Sequence, residues 1–158
     1  MQLTVCLVNP FVRSSAARAL RELGQHAASA VPELVKLLAD ESPHVRSSAA
    51  DALGGLGEHA AVAVPELVKL LADEDSDIRS SAADALGRLG EHAASAVPEL
   101  VRLLADEASR VSSSAHSALR ELGEHGAAGV PELVKLLADE DPDVRSFAAH
   151  AQSTRTLT

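Results

Sequence analysis

The sequence predicts an all-α chain: a right-handed α-α superhelix, or solenoid, of about nine helices in four full repeats with a partial repeat at each end. Three observations carry this. Pro32, Pro65, Pro98 and Pro131 fall 33 residues apart, as do Gly24, Gly57, Gly90 and Gly123, and His26, His59, His92 and His125. Internal repetition at such a period marks stacked supersecondary units. Apolar residues recur at helical spacing within each unit, and nothing alternates with the period of two that a sheet requires. Finally, the apolar residues are mostly Ala, Leu and Val, with Phe11 and Phe147 the only aromatics among 158 residues. Small side chains fill thin layers between close helices better than one thick core.

The elements follow in order. Residues 1–9 are read as a partial unit, because Thr4 to Val8 align with Leu37 to Glu41 at the end of a later helix. Full units then run at about 10–42, 43–75, 76–108 and 109–141, each a first helix A and a second helix B; the first pair is placed at about 10–23 and 28–40. In the third unit Asp75 or Ser76 caps helix A, with Asp77 in its first turn. Ile78, Ala82, Ala85, Leu86 and Leu89 then form one apolar face, with Arg79, Ser80, Ser81, Asp84 and Arg88 outside it. Gly90 closes the helix at a left-handed position. Helix B spans Ala94 to Asp106, with Pro98 near its first turn, where a missing amide donor costs least. Its arc of Val97, Leu100, Val101, Leu103 and Leu104 is wide enough to touch two neighbours. Neither helix buries its stripe alone, so each pair must stack on the next. A partial unit at 142–152 completes one domain over residues 1–152, and 153–158 are expected to fray.

Units such as Leu70-Leu71-Ala72-Asp73, then Ile78-Arg79, then Ala82 to Gly90 resemble HEAT repeats, in the short form also seen in phycobilisome lyases. The resemblance covers roughly residues 10–151. It implies a ladder of polar contacts in which an Asp meets an Arg six positions later: Asp40 with Arg46, Asp73 with Arg79, and Asp139 with Arg145. Asp106 departs from this pattern, since Ser112 stands where the Arg belongs; Arg110 is the candidate substitute, and a weakened third junction the expected result. The function the resemblance implies is protein–protein interaction and scaffolding through a concave face lined by B helices.

Composition narrows the classes of function. Net charge is −9, from 14 Lys+Arg against 23 Asp+Glu. Nucleic-acid binders need surplus cations to displace counterions from phosphate, and rings on which bases stack. Nucleic acid and anionic membranes are therefore excluded as expected partners. The single cysteine, Cys6, cannot form an internal disulfide, and Leu3 to Val8 is too short for a membrane span, so a cytoplasmic location is expected. The histidine series does not suit zinc. Equivalent positions in stacked helices lie ~8–10 Å apart, whereas zinc ligands sit ~2.0–2.1 Å from the ion. Acidic runs such as Asp73-Glu74-Asp75 and Asp139-Glu140-Asp141 lack the ligand spacing of a calcium loop. The serines lack a nucleophile elbow or a paired base. No catalytic residues, metal site or cofactor are expected, and the chain is read as a non-enzyme.

A binding role leaves two candidate surfaces. Pro32, Val35 and Ala39, repeated as Pro65, Val68 and Ala72, Pro98, Val101 and Ala105, and Pro131, Val134 and Ala138, form a smooth strip of small side chains on the B helices. Such a concave face suits a helix or extended segment from a protein or peptide partner. The second surface is at the ends. Phe11, Val144 and Phe147 place rings and a β-branched residue near uncapped termini, which points to self-association, most simply a homodimer. Phe147 replaces serines read as exposed at Ser48, Ser81 and Ser114. The expected function is a protein-interaction or scaffold module. The alternatives are a structural array or fragment of a longer repeat protein, and a phycobilisome-lyase-like enzyme or its accessory subunit.

Overall fold

A computed structural model describes residues 9–122 continuously and, beyond them, positions 134, 135, 137, 138, 140, 142, 145, 146 and 149. The expected partial unit at 1–8 and the frayed tail at 153–158 lie outside the described residues, as do Pro131, Asp139, Val144 and Phe147. Among the described residues there is no strand. Over residues 9–122, four A helices, α1 (Pro10–Leu23), α3 (Pro43–Gly55), α5 (Ser76–Arg88) and α7 (Ser109–Leu122), alternate with three B helices, α2 (Val31–Leu37), α4 (Val64–Leu70) and α6 (Val97–Arg102). The chain is an all-α solenoid.

The A helices begin and end for local reasons. Asn9 accepts a hydrogen bond from the Phe11 amide at 2.9 Å, and Asp75 one from the Asp77 amide at 2.8 Å. These side chains satisfy amides that have no carbonyl four residues before them. Gly24, Gly57 and Gly90 follow α1, α3 and α5 with φ of 53° to 55°, which turns the chain without the Cβ penalty other residues meet.

The B helices are shorter than the sequence predicts. Each opens with a seven-residue 3-10 run, Gly24–Ala30, Gly57–Ala63 or Gly90–Ala96, and only then becomes α-helical. Proline sets this boundary. The Val31 amide donates to the Ala28 carbonyl three residues back, and Pro32 has no N–H to claim that carbonyl in the α register. Val64 with Ala61 and Val97 with Ala94 repeat the arrangement.

Packing is layered. Each A helix lies on the next, α1 on α3, α3 on α5 and α5 on α7, while each B helix leans on the A helix that follows it. Neighbouring B elements meet chiefly through their 3-10 lead-ins. The A layer is tight: a Cβ added at Gly54 would lie 2.8 Å from the Ala85 Cα, and one at Gly87 2.8 Å from the Ala118 Cα. Burial therefore extends to both flanks of the A helices. Ser80, Ser81 and Ser114 are buried, contrary to the single apolar face read from the sequence. Their hydroxyls pair across layers, Ser47 with Ser81 and Ser80 with Ser114, both at 2.9 Å. A small polar residue is tolerated there because its one hydroxyl meets another. No helix among the described residues is long and apolar enough to cross a membrane.

Candidate binding faces

The polar ladder fixes the layers that carry any binding face. Arg13, Arg46 and Arg79 each grip the carboxylate 27 residues onward, at the end of the B segment of the same unit. Arg13 Nε and Nη2 reach Asp40 at 2.7 and 2.9 Å, Arg46 reaches Asp73 at 3.1 and 3.2 Å, and Arg79 reaches Asp106 at 2.9 and 3.0 Å. The contacts expected six residues apart exist in another form. Arg46 Nη1 donates to the backbone carbonyl of Asp40 at 2.9 Å, and Arg79 Nη1 to that of Asp73 at 2.9 Å. Each of these two guanidiniums thus ties the end of its own unit to the end of the one before. Arg145 donates to the Glu140 carbonyl at 2.8 Å, as Arg46 and Arg79 do to Glu41 and Glu74.

The reading of Asp106 needs correction. Its carboxylate is held by Arg79, not left open by Ser112. Arg110 does not substitute, since its guanidinium meets Asp77 at 2.8 Å on the surface. What Ser112 removes is the long donor that Arg46 and Arg79 send to the carbonyls of the preceding turn. Partner choice shows in the titration behaviour. The Arg13 guanidinium, helped by the Ser42 amide, holds the Asp40 carboxyl below its ordinary range, and Arg79 with the Ala108 amide does the same for Asp106. Asp51, on the A layer, moves the other way: burial pushes its carboxyl up against the opposing charges of Arg88 and Arg21.

The strip read on the B helices is unevenly presented. Pro32, Pro65, Ala39, Ala72, Ala105 and Val134 are exposed, with Ala138, while Pro98, Val35 and Val68 are half-buried. Val101 is buried in the core, because it faces neighbouring layers instead of solvent. Surface ion pairs border the strip: Lys36 with Glu33 at 2.7 Å, Lys69 with Glu66 at 2.8 Å, and Arg102 with Glu99 at 3.8 Å. Val62, 72% exposed just before Pro65, adds an apolar point where Ser29 and Ser95 stand in the flanking units. The sequence showed it only as a minor change between near-identical units. Exposure of a single β-branched residue is not visible from periodicity alone. His26, His59 and His92 are exposed on the 3-10 runs, and no group of three or more potential metal ligands occurs among the described residues.

Each A helix has two flanks. The flank facing the preceding layer carries, in α5, Ile78, Ser81, Ala82, Ala85 and Leu89, all buried. The flank facing the following layer carries Ser80, Ala83 and Gly87. Val144 and Phe147, which match Ile78 and Ser81 in register, lie outside the described residues. Phe11, by contrast, is 75% exposed.

A two-helix repeat, stacked through a tight A layer and cross-tied by Arg–Asp pairs, defines an α-solenoid, a fold typical of protein-interaction scaffolds. The chain belongs to the HEAT repeat family, whose model matches residues 7–64 and 61–120. No curated protein matches the sequence. Among solved structures, an engineered protein is 31% identical with a TM-score of 0.67, covering 93% of this chain and 74% of that one. A computationally designed armadillo repeat protein for modular peptide recognition is 25% identical, with a TM-score of 0.61 and coverage of 97% and 80%. The complex of CpcE and CpcF of phycocyanin lyase from Nostoc sp. PCC7120 shares the fold at 23% identity and a TM-score of 0.65, with 91% of each chain covered.

Proposed function

We propose that this chain is a non-enzymatic scaffold that binds an extended protein segment across its B helices. The observation that carries the reading is the repeated exposure of small apolar side chains in one register, Pro32 and Pro65 with Ala39, Ala72 and Ala105, at one layer spacing. Rows of this kind give an extended chain equivalent footholds at each layer, and the bordering Glu–Lys and Glu–Arg pairs supply polar contacts on both signs of charge. Val62 beside Pro65 makes the second unit the strongest foothold. The likeness to a designed repeat protein for modular peptide recognition supports the same reading. The lone cysteine is consistent with work in a reducing compartment, and the cytoplasm is our proposal for its location.

A displayed library of random peptides, selected on the purified chain, tests this. Enriched peptides should bind the unaltered protein and an Arg88→Glu control, whose change lies on the A layer. They should lose at least tenfold in affinity on an Ala72→Glu, Ala105→Glu double variant. Failure to enrich any peptide, or equal binding to the double variant, would sink the proposal. Val101 is unsuitable for this purpose, because a charge there would unfold the layer.

A further inference from the structure

Each B segment runs out into an exposed glutamate. Glu41, Glu74 and Glu107 stand two residues beyond Ala39, Ala72 and Ala105, so the strip of small residues has an acidic row along one edge. The other charges nearby are already matched. Lys36, Lys69 and Arg102 pair with Glu33, Glu66 and Glu99 on their own helices. Arg46 and Arg79 touch Glu41 and Glu74 only at the backbone carbonyl, and their charge is taken by Asp73 and Asp106. Among the described residues none of the three glutamate side chains has an ion-pair partner.

The repeat of the strip sets a repeat for whatever crosses it. Packed helical layers lie ~8–10 Å apart. An extended or polyproline segment advances ~3.1–3.4 Å per residue. Two residues fall short of the next layer and four overshoot it, whereas three match it. A segment laid across the B helices therefore meets an alanine and a glutamate once in every three of its own residues.

We propose that the partner segment is basic, with a Lys or Arg at every third position set against Glu41, Glu74 and Glu107, and with small apolar residues between them on the strip. This rests on the B helices being the binding face, and adds the charge and the period of the partner to that reading. One exposed ion pair contributes little, so selection comes from the same pair recurring in register at each layer. Added salt weakens such binding, because the glutamates are exposed.

Fluorescence anisotropy on the whole chain tests the proposal, with a labelled peptide of four copies of Ala-Val-Lys as the probe. Two comparison peptides are used, one of the same composition with its lysines gathered at one end, the other with Glu in place of Lys. The periodic basic peptide should bind at least tenfold tighter than either, and lose affinity as salt is added. A Glu41→Gln, Glu74→Gln, Glu107→Gln variant should weaken it about tenfold with an unchanged circular dichroism spectrum, as expected for three exposed pairs. Ala72 and Ala105 seat the apolar residues of the segment, so the Ala72→Glu, Ala105→Glu variant blocks the seat in spite of its charge. Equal binding of the gathered-lysine peptide, or full affinity in the triple variant, would overturn the proposal. Library peptides that bind the strip without an excess of Lys or Arg would also overturn it, and would leave the scaffold reading standing. A periodic peptide lost from the triple variant but kept by the Ala72→Glu, Ala105→Glu variant would sink the strip itself as the binding face.

Discussion

Arg79 shows how much a single side chain does here. Its guanidinium makes two bonds to the Asp106 carboxylate and two to the carbonyls of Asp73 and Glu74. A lysine can offer one point charge but not a fork that meets both sets at once. Arg79→Lys is expected to lower unfolding free energy by about 1–3 kcal/mol in a denaturant titration. A loss indistinguishable from zero would show the ladder to be ornamental. The carboxylates add a pH dependence of definite sign. Asp40 and Asp106 hold their protons less tightly when folded than when unfolded, near a reference pKa of about 3.9. Their contribution is complete above that value and disappears as pH falls through the depressed folded pKa. Asp51 has the reverse sign, since burial makes its ionised form costly in the folded state. Asp51→Asn should therefore raise the thermal midpoint at pH 7, with the gain shrinking as pH falls through the raised pKa and gone once the carboxyl is protonated in both states. A midpoint that drops at pH 7 would mean that the attraction of Arg88 and Arg21 outweighs burial.

At the scale of the helix, two adjacent glycines separate backbone approach from mere sequence. A methyl at Gly54 meets the Ala85 Cα at 2.8 Å, which is backbone and cannot give way. A methyl at Gly55 meets Arg21 Cγ at the same 2.8 Å, but Arg21 is a flexible, exposed side chain. Gly54→Ala should cost about 1–3 kcal/mol through overpacking, more than the ~1 kcal/mol that alanine gains in a helix. Gly55→Ala should cost less than Gly54→Ala, because Arg21 can turn its exposed side chain aside where the Ala85 backbone cannot move, and equal effects at the two positions would contradict this account. The A helices were legible in the sequence because caps, an apolar stripe and a terminal glycine all agree on their bounds. The B helices were not, since Val31 and Pro32 look like the first turn of a longer helix until the Ala28 carbonyl is seen to be taken. The ladder was half legible. A spacing of six residues locates Asp40 and Arg46, but the carboxylate that Arg46 grips lies 27 residues away, which no local pattern indicates. Burial of Ser80 and Ser81 escaped for a similar reason: an A helix has a neighbour on each side, and a one-sided stripe hides the second.

For the whole chain, repetition makes stability a sum over layers and their junctions. Deleting residues 43–75 should leave a protein that is still helical by circular dichroism, unfolding at lower denaturant with a shallower slope because less surface is exposed. Complete loss of structure would show that the second unit is a nucleus and not one equivalent layer. The spacing of the cross-layer bonds has its own consequence. Arg–Asp pairs join residues 27 apart and serine pairs residues 34 apart, so a junction closes once little more than one unit has been made. The entropy of bringing chain ends together grows with the length enclosed, and here that length does not increase as units are added. Emerging from the ribosome, such a polypeptide settles unit by unit, and an array twice as long would reach its native form through steps no slower than these.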